Sequence, residues 1–129
     1  MYPASFEIAT RFGDMDPGKH INNVAVARLY EECRVRFHRT PVDDESVPLV
    51  VAQVNLHYIG ETTYPDPVVI CVGTAHIGRT SFSIGQALFQ GGTCVGLSDT
   101  TAVHVIEGVA TPLPAFFVSY LEEFRLRTG

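Results

Sequence analysis

Apolar and polar residues alternate from Ser5 to Phe12, with Phe6, Ile8 and Phe12 on one side and Ser5, Glu7 and Arg11 on the other. A period of two marks a half-buried strand, and Gly13 is placed to end it. Further on the period lengthens: Val26, Leu29, Tyr30, Cys33 and Phe37 fall at offsets 0, 3, 4, 7 and 11, a stripe along one face of a long helix. Arg28, Glu32 and Arg36 follow one another at i, i+4 spacing on the other side, each pair worth about 0.3 kcal/mol, so that side is predicted to be solvated. Pro41 is expected to stop the helix, and the run Val42 to Val47, with Asp43, Asp44 and Glu45, reads as a solvated connection.

Alternation returns from Leu49 to Ile59, where Val50, Ala52, Val54, Leu56 and Tyr58 stand against Gln53, Asn55 and His57. The polar set either lines a site or faces water, since a strand beside a cleft shows it every second side chain. Gly60 to Pro67 is turn-like. Val68 to Ile77 is apolar on both faces, as expected of a central strand covered on both sides. Gly78-Arg79 breaks the chain before Ser81 to Gln90, and Gly91-Gly92 is a hairpin signal leading into Thr93 to Ile106. Three long strands joined by short turns predict an antiparallel meander. Phe117, Tyr120, Leu121 and Phe124, at offsets 0, 3, 4 and 7 behind Pro112 and Pro114, predict a short C-terminal helix. The elements sum to an α+β architecture in which about five antiparallel strands wrap one long central helix.

Length and composition narrow the function. A chain of 129 residues is expected to form a single domain, residues 1–129, and 46% apolar residues make it globular. A net charge of −5 argues against nucleic acid as a partner, because phosphate binding needs a basic face. Cys33, Cys71 and Cys94 are odd in number and unpaired in spacing, which suits small buried residues in a reducing compartment. A triad of Cys94, His104 and Asp99 can be written on paper, but nothing activates the thiol. The five histidines have no metal-like spacing, so no metal is expected. With no signal peptide and no apolar run of membrane length, the protein is expected to be cytoplasmic and to bind no membrane.

The densest chemistry lies between strand and helix. Asp14, Asp16, His20, Asn22 and Asn23 fall within ten residues, where the helix must begin. One explanation is local: Asn22 caps the helix, Pro17 and Gly18 make the bend, and Asp16 complements the helix dipole. The other is a site, because capping needs one or two side-chain oxygens and five polar side chains are on offer. A helix N-terminus presents free backbone N–H groups with about half a positive charge, which can receive a developing oxyanion.

The run Asp14-Met15-Asp16-Pro17-Gly18-Lys19-His20-Ile21-Asn22-Asn23, followed by Tyr30, Glu31-Glu32 and Arg34, resembles the hot-dog-fold acyl-CoA thioesterases of the 4-hydroxybenzoyl-CoA thioesterase type. In that pattern glycine usually stands directly before the histidine, whereas here Lys19 does. The related plant acyl-carrier-protein thioesterases carry an asparagine where this chain has Gly18. The resemblance implies a hot-dog fold over nearly the whole chain and hydrolysis of an acyl-CoA thioester to free acid and coenzyme A. It implies Asp16 as nucleophile or general base, the backbone N–H of Asn23 as oxyanion donor, and His20 orienting Asp16 or touching substrate. Lys19, Asn22, Gln53 and Asn55 are the candidate substrate contacts, with Lys19 placed for a coenzyme A phosphate. Asp14 is expected to accept hydrogen bonds within the turn and Arg34 to pair with Glu31. The resemblance also implies a homodimer or homotetramer with acyl groups bound between subunits, and no cofactor beyond the coenzyme A of the substrate. Two other functions stay open: a hydratase or dehydratase acting on enoyl-CoA in the same fold, and a non-catalytic binder of acyl thioesters.

Overall fold

The computed structural model describes residues 1–39 and 47–127. The expected stop at Pro41 and the acidic run Asp43, Asp44 and Glu45 lie outside the described residues. In chain order the elements are β1 (Ala4–Ile8), a 3-10 turn (Phe12–Asp14), α1 (Asn23–Arg39), β2 (Leu49–Tyr58) and β3 (Val68–Ile77). β4 (Ser81–Gln90), β5 (Thr93–Ile106), β6 (Val109–Ala110) and α2 (Ala115–Glu123) complete it. One antiparallel sheet runs β1-β3-β4-β5-β2, with the two-residue β6 beside β5. The meander of β3, β4 and β5 is therefore present, and its β4–β5 turn places Gly91 and Gly92 at φ 60 and 80, which suits glycine.

α1 forms because its apolar positions recur at helical spacing, and all five of the predicted stripe residues are buried. They meet Val68, Ile70 and Val72 of β3, Phe82, Ile84 and Leu88 of β4, and Ala102 of β5 in one core. Each large side chain so buried contributes about 1.5–3 kcal/mol. α2 closes one end of this core with Phe117, Tyr120 and Leu121. There the Tyr120 hydroxyl donates to the Phe37 carbonyl at 2.7 Å and the two rings lie 5.1 Å apart.

Several expectations give way to tertiary structure. β1 stops at Ile8, and Phe12, placed inside a strand by its period, sits in the 3-10 turn 70% exposed, edge-on to Tyr64. Alternation in β2 breaks at Ala52, where a bulge adds one residue between Val51 and Gln53 against β5. Val51 therefore shares a face with Ala102, while Val50, assigned to the face of Val54, lies on the other side. β3 is covered fully on one face only: Val68, Ile70 and Val72 are buried while Val69 is exposed. Its outer face is sealed locally at Gly73, where a Cβ atom would come within 2.6 Å of Leu126 and 2.7 Å of Pro3. On the solvated side of α1, Arg36 pairs with Glu32 as expected, but Arg28 turns to Asp14 instead.

Candidate functional site

The segment between the 3-10 turn and α1 folds back on itself as a narrow hairpin. The Asp14 carbonyl accepts from the Asn22 backbone N–H at 2.9 Å and from its side-chain Nδ2 at 2.8 Å. Met15 bridges Ile21, and the Asp16 N–H donates to the His20 carbonyl at 2.8 Å. At the tip, Lys19 takes φ 66, a left-handed conformation that glycine adopts far more readily. That explains why a glycine is usual at this place in the pattern: the backbone needs positive φ one residue before the histidine. Gly18 has its own reason, since a Cβ there would come 3.3 Å from Asp16 Oδ1.

The Asp16 carboxylate is half-buried and caps the turn: Oδ1 accepts from the Gly18 N–H at 2.9 Å and the His20 N–H at 3.2 Å. It is thus the backbone of His20 that holds Asp16, while the imidazole sets its Nε2 2.6 Å from Glu61 Oε2. Asn22 caps α1, its Oδ1 accepting from the Ala25 N–H at 2.8 Å. With Nδ2 on the Asp14 carbonyl, both ends of this amide serve the fold. The Asn23 backbone N–H, one step into the helix, has no acceptor among the described residues. The Asp14 carboxylate is buried and faces two guanidiniums, Arg28 Nη1 at 3.4 Å and Arg11 Nε at 3.7 Å, so it is an ion-pair anchor as well as a turn acceptor.

Beside this hairpin, α1 and β2 enclose an open cleft of about 520 Å³. Val24, Ala27, Arg28, Glu31 and Arg34 line it from the helix, and Val54, Leu56 and Tyr58 from the strand. The Tyr58 hydroxyl donates to the Asn23 carbonyl at 3.2 Å, tying the strand to the first turn of α1. The bulge at Ala52 sets this lining: past it Val54, Leu56 and Tyr58 face the helix, and Gln53 and Asn55 face the other side. Neither of those two borders the cleft, and the Asn55 amide donates to Asp99 at 2.8 Å. Asp16, His20 and Lys19 do not line it either, and Lys19 is exposed.

Burial sets the electrostatics around α1. It pushes the Tyr30 phenol upward, raises the Cys33 thiol to about 11, and lowers the Arg34 guanidinium, which the nearby Glu31 charge partly offsets. Arg34 makes no ion pair with Glu31; its Nη1 reaches Gln86 Oε1 at 3.5 Å. The paper triad fails, because Asp99 and His104 lie on opposite faces of β5 and the His104 ring is bonded to the carbonyls of Thr111 and Pro112. Among the described residues no group of three metal-ligating side chains is assembled, and no helix is long and apolar enough to cross a membrane.

Sequence reasoning missed Tyr58 as a polar contact, because its period placed it with apolar residues. It also missed Glu61, whose pairing with His20 joins loops far apart in the chain. The arrangement as a whole offers an acceptor-bearing carboxylate on a rigid turn, a helix with a free N–H at its mouth, and an adjoining cleft whose strand wall is largely apolar and whose helix wall carries Arg28, Glu31 and Arg34.

Comparison with known proteins places this geometry. The model of the thioesterase-like superfamily matches residues 10–122. Among solved structures, a thioesterase complexed with coenzyme A and Zn from Thermus thermophilus is 25% identical, with 98% of this chain and 97% of that one covered at a TM-score of 0.89. A predicted thioesterase from Bacillus stearothermophilus is 24% identical over 97% and 98% of the two chains, TM-score 0.88. A member of the thioesterase superfamily from a Jannaschia species is 26% identical over 92% and 81%, TM-score 0.81. No curated protein sequence matches. The wrapped helix and antiparallel sheet are therefore the hot-dog fold of thioesterases, and the chain belongs to the thioesterase-like superfamily.

Proposed function

We propose that the protein is an acyl-CoA thioesterase of the 4-hydroxybenzoyl-CoA thioesterase type, hydrolysing a thioester to a free acid and coenzyme A. One observation carries this reading: in a chain of the thioesterase-like superfamily, Asp16 is held by two turn amides directly ahead of a helix whose Asn23 N–H is free. Asp16 acts on the carbonyl as nucleophile or on water as general base, and the Asn23 N–H receives the oxyanion. A donor of that kind is worth about 10²–10³ in rate. His20 supports Asp16 through its backbone, and Lys19, exposed at the hairpin tip, meets a phosphate of coenzyme A. The reaction draws on no cofactor beyond the coenzyme A that the substrate brings.

Asp16→Asn is the decisive variant because it keeps the oxygen that accepts the Gly18 and His20 amides while removing the charge. Release of free thiol from acyl-CoA substrates is expected to fall by about 10²–10⁴-fold with folding intact. Undiminished turnover would move the chemistry elsewhere. In labelled water, a single turnover that leaves label in the Asp16 carboxylate supports attack by that carboxylate; label found in the product acid alone supports the general base. Following the absorbance of an enoyl-CoA separates this reading from a hydratase or dehydratase on the same fold. Among the described residues β2 is an unpaired sheet edge, with eight of its ten residues exposed, which supports assembly through a second copy. Light scattering at monomer mass would argue against that assembly.

A further inference from the structure

One side chain outside the hairpin and the cleft spends every hydrogen bond it can make on a single loop. Gln90 is the last residue of β4, half-buried beside the Gly91-Gly92 turn. Its Oε1 accepts from the Thr63 backbone N–H at 2.9 Å and from the Thr63 hydroxyl at 3.2 Å. Its Nε2 donates to the carbonyls of Thr63 and Asp66, both at 2.8 Å. A carboxamide has two acceptor sites and two donor hydrogens, so all are taken and none is left for a ligand. Toward Thr63 it presents a carbonyl and an N–H together, as the backbone of a neighbouring strand would.

The loop held in this way is the one against which the Asp16 hairpin is built. The Ile21 N–H donates to the Thr62 carbonyl at 2.7 Å, and His20 and Thr63 form an antiparallel bridge. On their other side His20 and Ile21 meet the first arm of the hairpin, through the bridge of Ile21 to Met15 and the Asp16 N–H on the His20 carbonyl. The ladder therefore runs from Gln90 to Thr62 and Thr63, to His20 and Ile21, and to Met15 and Asp16. Its last member carries the carboxylate that the Gly18 and His20 amides hold. The His20 ring adds a second tie to the same loop through Glu61, and the Thr10 hydroxyl, donating to the Asp66 carbonyl at 3.0 Å, pins the far end. Among the described residues the hairpin pairs with no strand of the main sheet, so its hydrogen-bonded connection to β4 passes through this loop and the Gln90 amide.

We propose that Gln90 is a positioning residue for the hydrolysis: through Thr63 and His20 it holds the Asp16 carboxylate in place ahead of the Asn23 N–H. The proposal rests on the thioesterase reading, which gives those two groups their roles. A catalytic group displaced by about 1 Å can lose about 10²-fold in rate, whereas an amide that touches no substrate leaves binding unchanged.

Two variants and a cycle with Asp16 test it. Gln90→Met keeps the stem and removes all four bonds; Gln90→Glu keeps the shape and the oxygen toward Thr63 but sets a second oxygen against two carbonyls. Each is expected to lower kcat on acyl-CoA substrates by about ten- to a hundredfold with KM held within about twofold and the fold intact by circular dichroism. In an Asp16→Asn background the same change is expected to cost less than about twofold, because the group it positions has already lost its charge. A merely structural role would cost the same factor in both backgrounds. Amide exchange followed by NMR is expected to be about tenfold faster or more at His20 and Ile21 in Gln90→Met, while Ile70 and Ile84 in the core keep the wild-type rate. Wild-type kcat in both variants, or equal losses with and without the Asp16 charge, overturns the proposal and leaves the thioesterase reading standing. Should the wild type hydrolyse no acyl-CoA, that reading falls, and exchange decides alone: faster exchange at His20 and Ile21 sustains Gln90 as the residue that sets the hairpin, and unchanged rates overturn it.

Discussion

His38 makes the stability of this protein depend on pH in a direction that the structure sets. It lies in the last turns of α1, its ring 5.2 Å from that of Phe82, 5.8 Å from Phe37 and 6.2 Å from Phe117, and Nε2 is buried without a partner. Burial among aromatic rings, helped by the Arg34 charge, lowers its pKa from the ordinary 6.5 to about 4. The folded protein therefore keeps this imidazole neutral where the unfolded chain would protonate it. Above pH 6.5 neither state binds the proton and the full stability is present. As pH falls below 6.5 the unfolded state gains protons first, and stability drops by about 1.4 kcal/mol per pH unit until the folded pKa is reached. The loss is about 2 kcal/mol at pH 5 and about 3 kcal/mol in all. Urea unfolding of the wild type and of His38→Phe between pH 7.5 and 5 measures it, since carboxylates and other histidines titrate alike in both and cancel in the difference. A wild-type-minus-variant difference that stays flat from pH 7 to 5 would refute the reasoning, because it would mean the ring is protonated in the folded protein.

Two further perturbations probe the hairpin ahead of α1. Lys19→Gly removes a side chain from a left-handed backbone, a relief of about 1–2 kcal/mol against an entropic loss of about 0.5–1, so thermal denaturation should show a net gain of about 0.5–1 kcal/mol. Lys19→Ala, which stays strained, should show none of it, and equal effects from both variants would count against the backbone account. Asn22→Ala deletes the helix cap and the bond to the Asp14 carbonyl, and should cost about 1–2 kcal/mol in chemical denaturation; a loss of a few tenths would mean the cap is not holding α1.

Much of the fold was legible because it is written in local periods. The stripe from Val26 to Phe37 needed only helical spacing, and the ranges of β3, β4 and β5 needed only apolar runs between turn residues. Phe12 shows the limit: its parity with Phe6 and Ile8 agreed with a strand, but the chain turns at Phe12–Asp14 and leaves the ring at the surface. In the candidate site the motif Asp14 to Asn23 is visible in the sequence as a cluster, yet capping and site share its residues. Asn22 is a cap with no free side-chain group, whereas Asp16 is turn-bound through one oxygen and Asn23 keeps an amide free.

By itself the sequence determined what depends on neighbours a few residues apart: the helix and its buried face, the Gly91-Gly92 hairpin, the meander, and the crowding of polar groups at the start of α1. Only the tertiary structure decided what depends on strand register and on contacts between distant segments. The bulge at Ala52 shifts the phase of β2 and so gives the cleft Val54, Leu56 and Tyr58 instead of Gln53 and Asn55. Packing likewise sends the His20 ring to Glu61 and Arg34 to Gln86. Period and turn propensity act along the chain, while a single inserted residue exchanges which side chains face the helix, and no local pattern marks where that insertion falls.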